Sequence, residues 1–132
     1  MTGLLSLEKL RAYQYAHKLS QIGWEIYNSL AWQDRKTMGD QFLRATDSNG
    51  ANITEGFGRF HYLDKVKFYY NARGSLLESR YWLELLAERG KVSEELNKRY
   101  LDVYKLLRPT LNGLIESTMK TQKQSLNGNP NY

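Results

Sequence analysis

Apolar residues spaced in steps of three and four, in four separate runs, constrain this chain more than any other feature. In the first run, Ala12, Tyr15, Leu19, Ile22 and Ile26 make one stripe, widened by Tyr13, Ala16, Gly23, Tyr27 and Leu30. That spacing lines up side chains on a helix and scatters them on a strand. A helix from about Leu7 to Leu30 follows, with Ser6 as its N-cap. In the last run, Leu96, Tyr100, Val103, Leu107, Leu111 and Leu114 repeat in the same way. Ser93 is placed to cap that helix, and Glu94 and Glu95 favour its first turn. Pro109 lies inside it and has no amide to donate to the Lys105 carbonyl, which is expected to bend the helix.

The two middle runs are less ordinary. The second helix is expected from Asp34, as cap, to Gly56. Met38, Phe42 and Ala45 begin its stripe, and then Ser48, Asn49, Gly50, Ala51 and Asn52 replace large apolar residues. Arg44, Ser48, Asn52 and Glu55 share one face, at spacings of four, four and three. Gly56 is read as a left-handed C-terminal cap within the turn Glu55 to Arg59. The third helix, from about Leu63 to Arg89 and stopped by Gly90, is apolar on two faces. Val66, Tyr69, Tyr70, Leu77 and Tyr81 form one, and Ala72, Leu76, Leu83 and Leu86 the other, with Phe68 and Trp82 beside them. An extra apolar face on one helix of a bundle suggests a subunit interface.

No run alternates with a period of two, and the connections are short. The expected fold is an all-α, antiparallel up-down-up-down four-helix bundle over residues 1–119, followed by a flexible polar tail over 120–132. Its 132 residues fit one domain.

Composition narrows the chemistry. There is no cysteine, which excludes disulfides, thiolate metal sites and a cysteine nucleophile and suits a cytoplasmic setting. The start, Met1 to Ser6, lacks the form of a secretion signal, and no apolar run approaches the ~20 residues of a membrane span. Only His17 and His61 are present, with no Glu-x-x-His pattern, so no metal site is expected. Gly56-Phe57-Gly58 lacks the rest of a phosphate loop, and neither Ser48 nor Ser75 sits in a nucleophile elbow. No catalytic residue and no cofactor are expected. The Arg44, Ser48, Asn52 and Glu55 row reads as a buried polar network tying the second helix to Arg73, Ser75 and Glu78 on the third. An active site with Glu55 as base is the competing reading.

Lys and Arg number 19 against 14 Asp and Glu, a net charge of +5. The pI near 9.4 exceeds the threshold of about 9 that raises the expectation of nucleic-acid binding. Residues Arg59 to Lys67 interleave cations and aromatic rings, a mixture suited to phosphates and unpaired bases. Candidate contacts are Arg59, Lys65 and Lys67, with Arg35 and Lys36.

Several of these segments together resemble a bacterial family, the ribosomal intervening-sequence proteins. The resemblance spans roughly residues 10–118. It rests on Gln41-Phe42-Leu43-Arg44-Ala45, Ser48, Asn52-Ile53, Glu55-Gly56-Phe57-Gly58-Arg59, Phe68, Ala72-Arg73-Gly74-Ser75-Leu76 and Glu78, together with Leu10, Ala16, Ile26 and Tyr27. Thr54 stands where the family usually has alanine, and Phe60-His61-Tyr62 fills a stretch often small and polar in relatives. The resemblance implies a left-handed bundle assembled as a ring-like homopentamer without enzymatic activity. Accessory proteins of diversity-generating retroelements look like distant members; those are basic pentamers that bind nucleic acid and a reverse transcriptase. The expected function is therefore a non-enzymatic homo-oligomer binding RNA or a ribonucleoprotein. The alternative is a protein-interaction adaptor, such as a reverse-transcriptase accessory protein.

Overall fold

The computed structural model describes residues 6–128, with side chains placed to residue 123. Among the described residues there is no strand. Four helices carry the fold: α1 (Arg11–Ser29), α2 (32–58), α3 (Tyr62–Glu88) and α4 (Glu94–Gly128). Within α2, the turn Trp32–Asp34 passes through a π-helical turn, Arg35–Gly39, into Asp40–Gly58. Each helix packs on its chain neighbours, and α1 also packs on α4, closing a square.

The contacts fix the directions. Gly23 faces Thr46 while Gly50 faces Ala16, so α1 and α2 run antiparallel. Asn49 bonds to Ala72 while Gly56 meets Tyr69, so α2 and α3 do too. Arg73 with Asn112 and Tyr70 with Met119 place α4 antiparallel to α3. The core is built from the expected stripes: Leu19, Ile26, Phe42, Ile53, Leu76, Leu83, Leu107 and Leu111 are fully buried. Burying such side chains, at about 1.5–3 kcal/mol each, offsets the entropy of ordering the helices.

Two helix ends follow the expected chemistry. Gly90 has φ +67°, and the amides of Gly90 and Lys91 bond to the carbonyls of Ala87 and Leu86, a Schellman closure of α3. Ser93 Oγ accepts the amide of Leu96 at 3.2 Å, capping α4.

Other ends differ. Ser6 caps no α-helix; Leu7–Lys9 is a 3-10 turn and α1 starts after Leu10, which offers no capping oxygen. Asp34 lies inside the first turn of α2 rather than at its cap, and its carboxylate pairs with Lys91 at 3.5 Å. Gly56 is helical and buried, because a Cβ there would lie 2.7 Å from the Tyr69 ring and 3.1 Å from the Lys65 carbonyl oxygen. Its role is close helix approach, and α2 continues to Gly58. Residues 120–128, expected in a flexible tail, continue α4, while 129–132 and the N-terminal 1–5 lie outside the described residues. Pro109 sits on an exposed face of the unbroken α4, where water can solvate the carbonyl it leaves unbonded.

Buried polar groups pin the helices to each other. Thr46 Oγ1 and the Tyr100 hydroxyl are 2.7 Å apart across the core diagonal. Asn49 Nδ2 donates to the Ala72 carbonyl at 2.9 Å, joining α2 to α3, while buried Ser79 satisfies its hydroxyl within α3, on the Leu76 carbonyl at 2.7 Å. Burial pushes the Tyr69 phenol up to about 12 and raises that of Tyr100 as well. Unfolded tyrosines ionise near 10.0, so this contribution to stability is intact below pH 10. It is lost as the pH rises from there through about 12. The melting temperature is therefore expected to hold between pH 7 and 9 and to fall steadily above about pH 10. A melting temperature that stays level to pH 12 would contradict this.

Candidate nucleic-acid interface

The seven residues expected to form one buried network do not do so within the chain. Arg44 and Glu55 are exposed, and Ser48 and Asn52 are half-buried. Glu55 pairs with Arg59, just past the end of its own helix, at 2.9 Å, and Asn52 Nδ2 donates to the Ser48 carbonyl. On α3, Glu78 accepts the Trp82 indole N–H, and Arg73 turns the other way, toward Asn112 of α4. Among the described residues no hydrogen bond crosses between the α2 row and Ser75 or Glu78. The physical reason is register. The core stripe of α2 continues through Phe42, Thr46, Asn49, Ile53 and Gly56, so Arg44, Ser48, Asn52 and Glu55 fall on its flank. That flank looks toward α3, since Arg59, one turn beyond Glu55, lays its guanidinium 4.7 Å from the centre of the Phe68 ring. Of the buried polar set, Tyr100 was placed on its inner stripe and Asn49 among the polar residues of α2, but Thr46 and Ser79 were missed. Extending the Met38, Phe42 register past Ala45 would have marked Thr46 and Asn49.

The five candidate cations separate into two groups. Arg35 and Lys36 start α2, and Arg59 follows its end 24 residues after Arg35, roughly 36 Å away at the helical rise. Arg35 is committed to the frame: Nε and Nη2 donate to the carbonyls of Tyr27 and Asn28 at 3.1 and 3.0 Å, and the guanidinium covers the Tyr27 ring. Lys36 reaches Asp40 at 3.8 Å and leans over Trp32.

Lys65 is also structural. Its ammonium donates to the Phe57 carbonyl at 2.7 Å, closing the C-terminus of α2, and burial lowers its pKa. Arg59 is half-committed to Glu55 and Phe68. Lys67 is exposed and makes no ion pair among the described residues.

Charge is unevenly distributed along the bundle. At the end formed by the α2–α3 turn lie seven cations, Lys9, Arg11, Arg59, Lys65, Lys67, Lys120 and Lys123. Against them stand four carboxylates, Glu8, Glu55, Asp64 and Glu116, leaving an excess of three positive charges. The opposite end holds six cations, Arg35, Lys36, Arg89, Lys91, Lys98 and Arg99. These face eight carboxylates, Glu25, Asp34, Asp40, Glu84, Glu88, Glu94, Glu95 and Asp102, an excess of two negative charges. Ion pairs there are abundant: Arg99 grips Glu25 with two bonds of 3.0 and 2.9 Å, and this hydrogen bonding holds the Glu25 carboxyl below its ordinary range. Lys98 meets Asp102 at 2.8 Å. The basic end also carries the most exposed large apolar side chain, Phe60, at 87%. His61 touches that ring edge-on, with centroids 5.1 Å apart.

A second exposed feature runs along α3. Leu63, Tyr70, Leu77 and Tyr81 are 41–69% exposed although their neighbours Tyr69, Leu76 and Leu83 are buried. Of the expected stripe Val66, Tyr69, Tyr70, Leu77 and Tyr81, the first two turn into the core, and the other three, joined by Leu63, stay uncovered in the single chain. None of the described helices is long and apolar enough to cross a membrane.

No curated protein matches the chain. A crystal structure of a protein of unknown function from the S23 ribosomal protein family of Bacteroides thetaiotaomicron has the same fold, with a TM-score of 0.73. It is 24% identical, over 79% of this chain and 97% of that one. The profile of the family described as 23S rRNA-intervening sequence protein matches residues 8–113, most of the bundle, and the chain belongs to that family.

Proposed function

We propose that this protein is a non-enzymatic homo-oligomer that binds RNA or a ribonucleoprotein through the end of the bundle formed by the α2–α3 turn. The observation that carries the reading is the charge distribution: the waist of the bundle (Lys18, Arg44, Arg73, Arg80, Lys105 and Arg108 against Asp47 and Glu78) holds an excess of four and this end an excess of three, while the other end is acidic, and this end joins its charge to the exposed Phe60 ring. A polyanion gains most from releasing its counterions where cations are not already neutralised, and among the described residues Lys67, Arg11, Lys120 and Lys123 make no ion pair. Arg35 is held by two backbone carbonyls and Lys36 is paired with Asp40, both at the end where carboxylates are in excess, which narrows the expected contacts. The α3 stripe of Leu63, Tyr70, Leu77 and Tyr81 supports self-association, since monomers rarely leave such a row in water. A ring of five copies, as the family resemblance implies, belongs to this proposal.

Filter binding to a structured RNA at several salt concentrations tests it. Affinity is expected to fall with salt, and replacing Lys67 and Lys120 by alanine is expected to flatten the slope by about 1.4–1.8. Replacing Arg35 and Lys36 should leave the slope unchanged. Binding that is absent at low salt, or indifferent to salt, refutes the proposal. Light scattering should give a mass several times 15.5 kDa.

A further inference from the structure

We infer that the α2–α3 turn binds unpaired nucleotides, with the Phe60 ring as the surface on which a base stacks. This rests on the RNA-binding reading and adds which form of RNA is taken. The turn Arg59 to His61 joins two long helices at the tip of the bundle. A phenyl ring left 87% exposed there loses apolar burial, and no neighbour in the chain covers it. His61 meets it at 87° rather than in parallel, so the two rings do not stack on each other and the tip keeps an open aromatic face.

The partner follows from the chemistry around the ring. The bases of a duplex are already stacked and present phosphates outward, so an exposed phenyl ring gains nothing from them. An unpaired base offers its own π-face to the ring while its phosphates reach the cations of the same end, Lys67, Arg11, Lys120 and Lys123. The other exposed aromatic rings do not meet both conditions: Tyr70 is covered by the Arg73 guanidinium, and Tyr81, 55% exposed, packs on Trp82 within the apolar stripe of α3. Trp24 and Trp32 lie at the end where carboxylates are in excess, and Lys36 already leans over Trp32.

The test uses the full chain and a labelled 12-nucleotide single-stranded RNA, compared with the same strand annealed to its complement. Phe60→Ala is expected to weaken single-strand binding by about 5- to 100-fold, the range for loss of one stacked base, and to leave duplex binding within twofold. Phe60→Trp should retain affinity, and its fluorescence should be quenched on binding. An exposed side chain is a safe substitution, and an unchanged melting temperature verifies that each variant folds. If single strand and duplex bind alike and Phe60→Ala alters neither, this inference is overturned while the RNA reading stands. If neither RNA binds, both fall. If Phe60→Ala abolishes binding to anionic phospholipid vesicles without changing RNA affinity, the ring serves a lipid surface and the inference is again overturned.

Discussion

Replacing Phe42 by alanine is expected to cost about 3–5 kcal/mol of stability, read as a drop in the urea midpoint at constant slope. Phe42 is completely buried on α2, and its ring lies 5.3 Å from that of Tyr100, across the bundle on α4. The same two helices are joined one turn later by the Thr46–Tyr100 hydrogen bond. Truncation thus opens a void beside a ring whose hydroxyl is fixed, and the surroundings have little freedom to close it. Against a total stability of about 5–15 kcal/mol, such a loss brings the protein close to unfolding at room temperature. A change below about 1 kcal/mol would mean that the α2–α4 diagonal is not packed as described.

Gly56→Leu is expected to destabilise by about 3 kcal/mol or more, despite leucine being much the better helix former. The new side chain would begin 2.7 and 2.9 Å from two carbons of the Tyr69 ring and 3.1 Å from the backbone oxygen of Lys65. The ring is buried and the oxygen belongs to the helix frame, so relief requires α2 and α3 to part. Gly113→Ala supplies the opposite sign. Nothing stands within 4 Å of a Cβ at Gly113, and alanine there should raise stability by about 0.5–1 kcal/mol through helix propensity alone. Chemical denaturation of both variants separates the cases; equal effects at the two positions would remove the argument for close approach at Gly56.

These two glycines illustrate what the sequence could and could not tell. The stripes through Leu19 and Ile26, or through Tyr100 and Leu107, are periodic enough to specify helices and their inner faces without coordinates. Gly90 and Ser93 were legible because local chemistry decides a left-handed turn and an N-cap. Gly56 was not: a glycine next to Phe57-Gly58-Arg59 looks like a helix stop, and only the position of Tyr69, thirteen residues on, makes it a contact. The polar row failed for a related reason. Arg44, Ser48, Asn52 and Glu55 do share a helix face, but spacing alone does not say whether a face is core or flank. The candidate cations were legible as charges. Which of them were spent on carbonyls, as Arg35 and Lys65 are, depended on where helix C-termini came to lie.

The lopsided charge also affects events before any contact is made. A body positive at one pole and negative at the other is turned by the field of an approaching polyanion, so that productive orientations are enriched during diffusion. Charge changes remote from the contact surface, at Glu94 or Glu95 for instance, should then alter the association rate and leave dissociation nearly untouched.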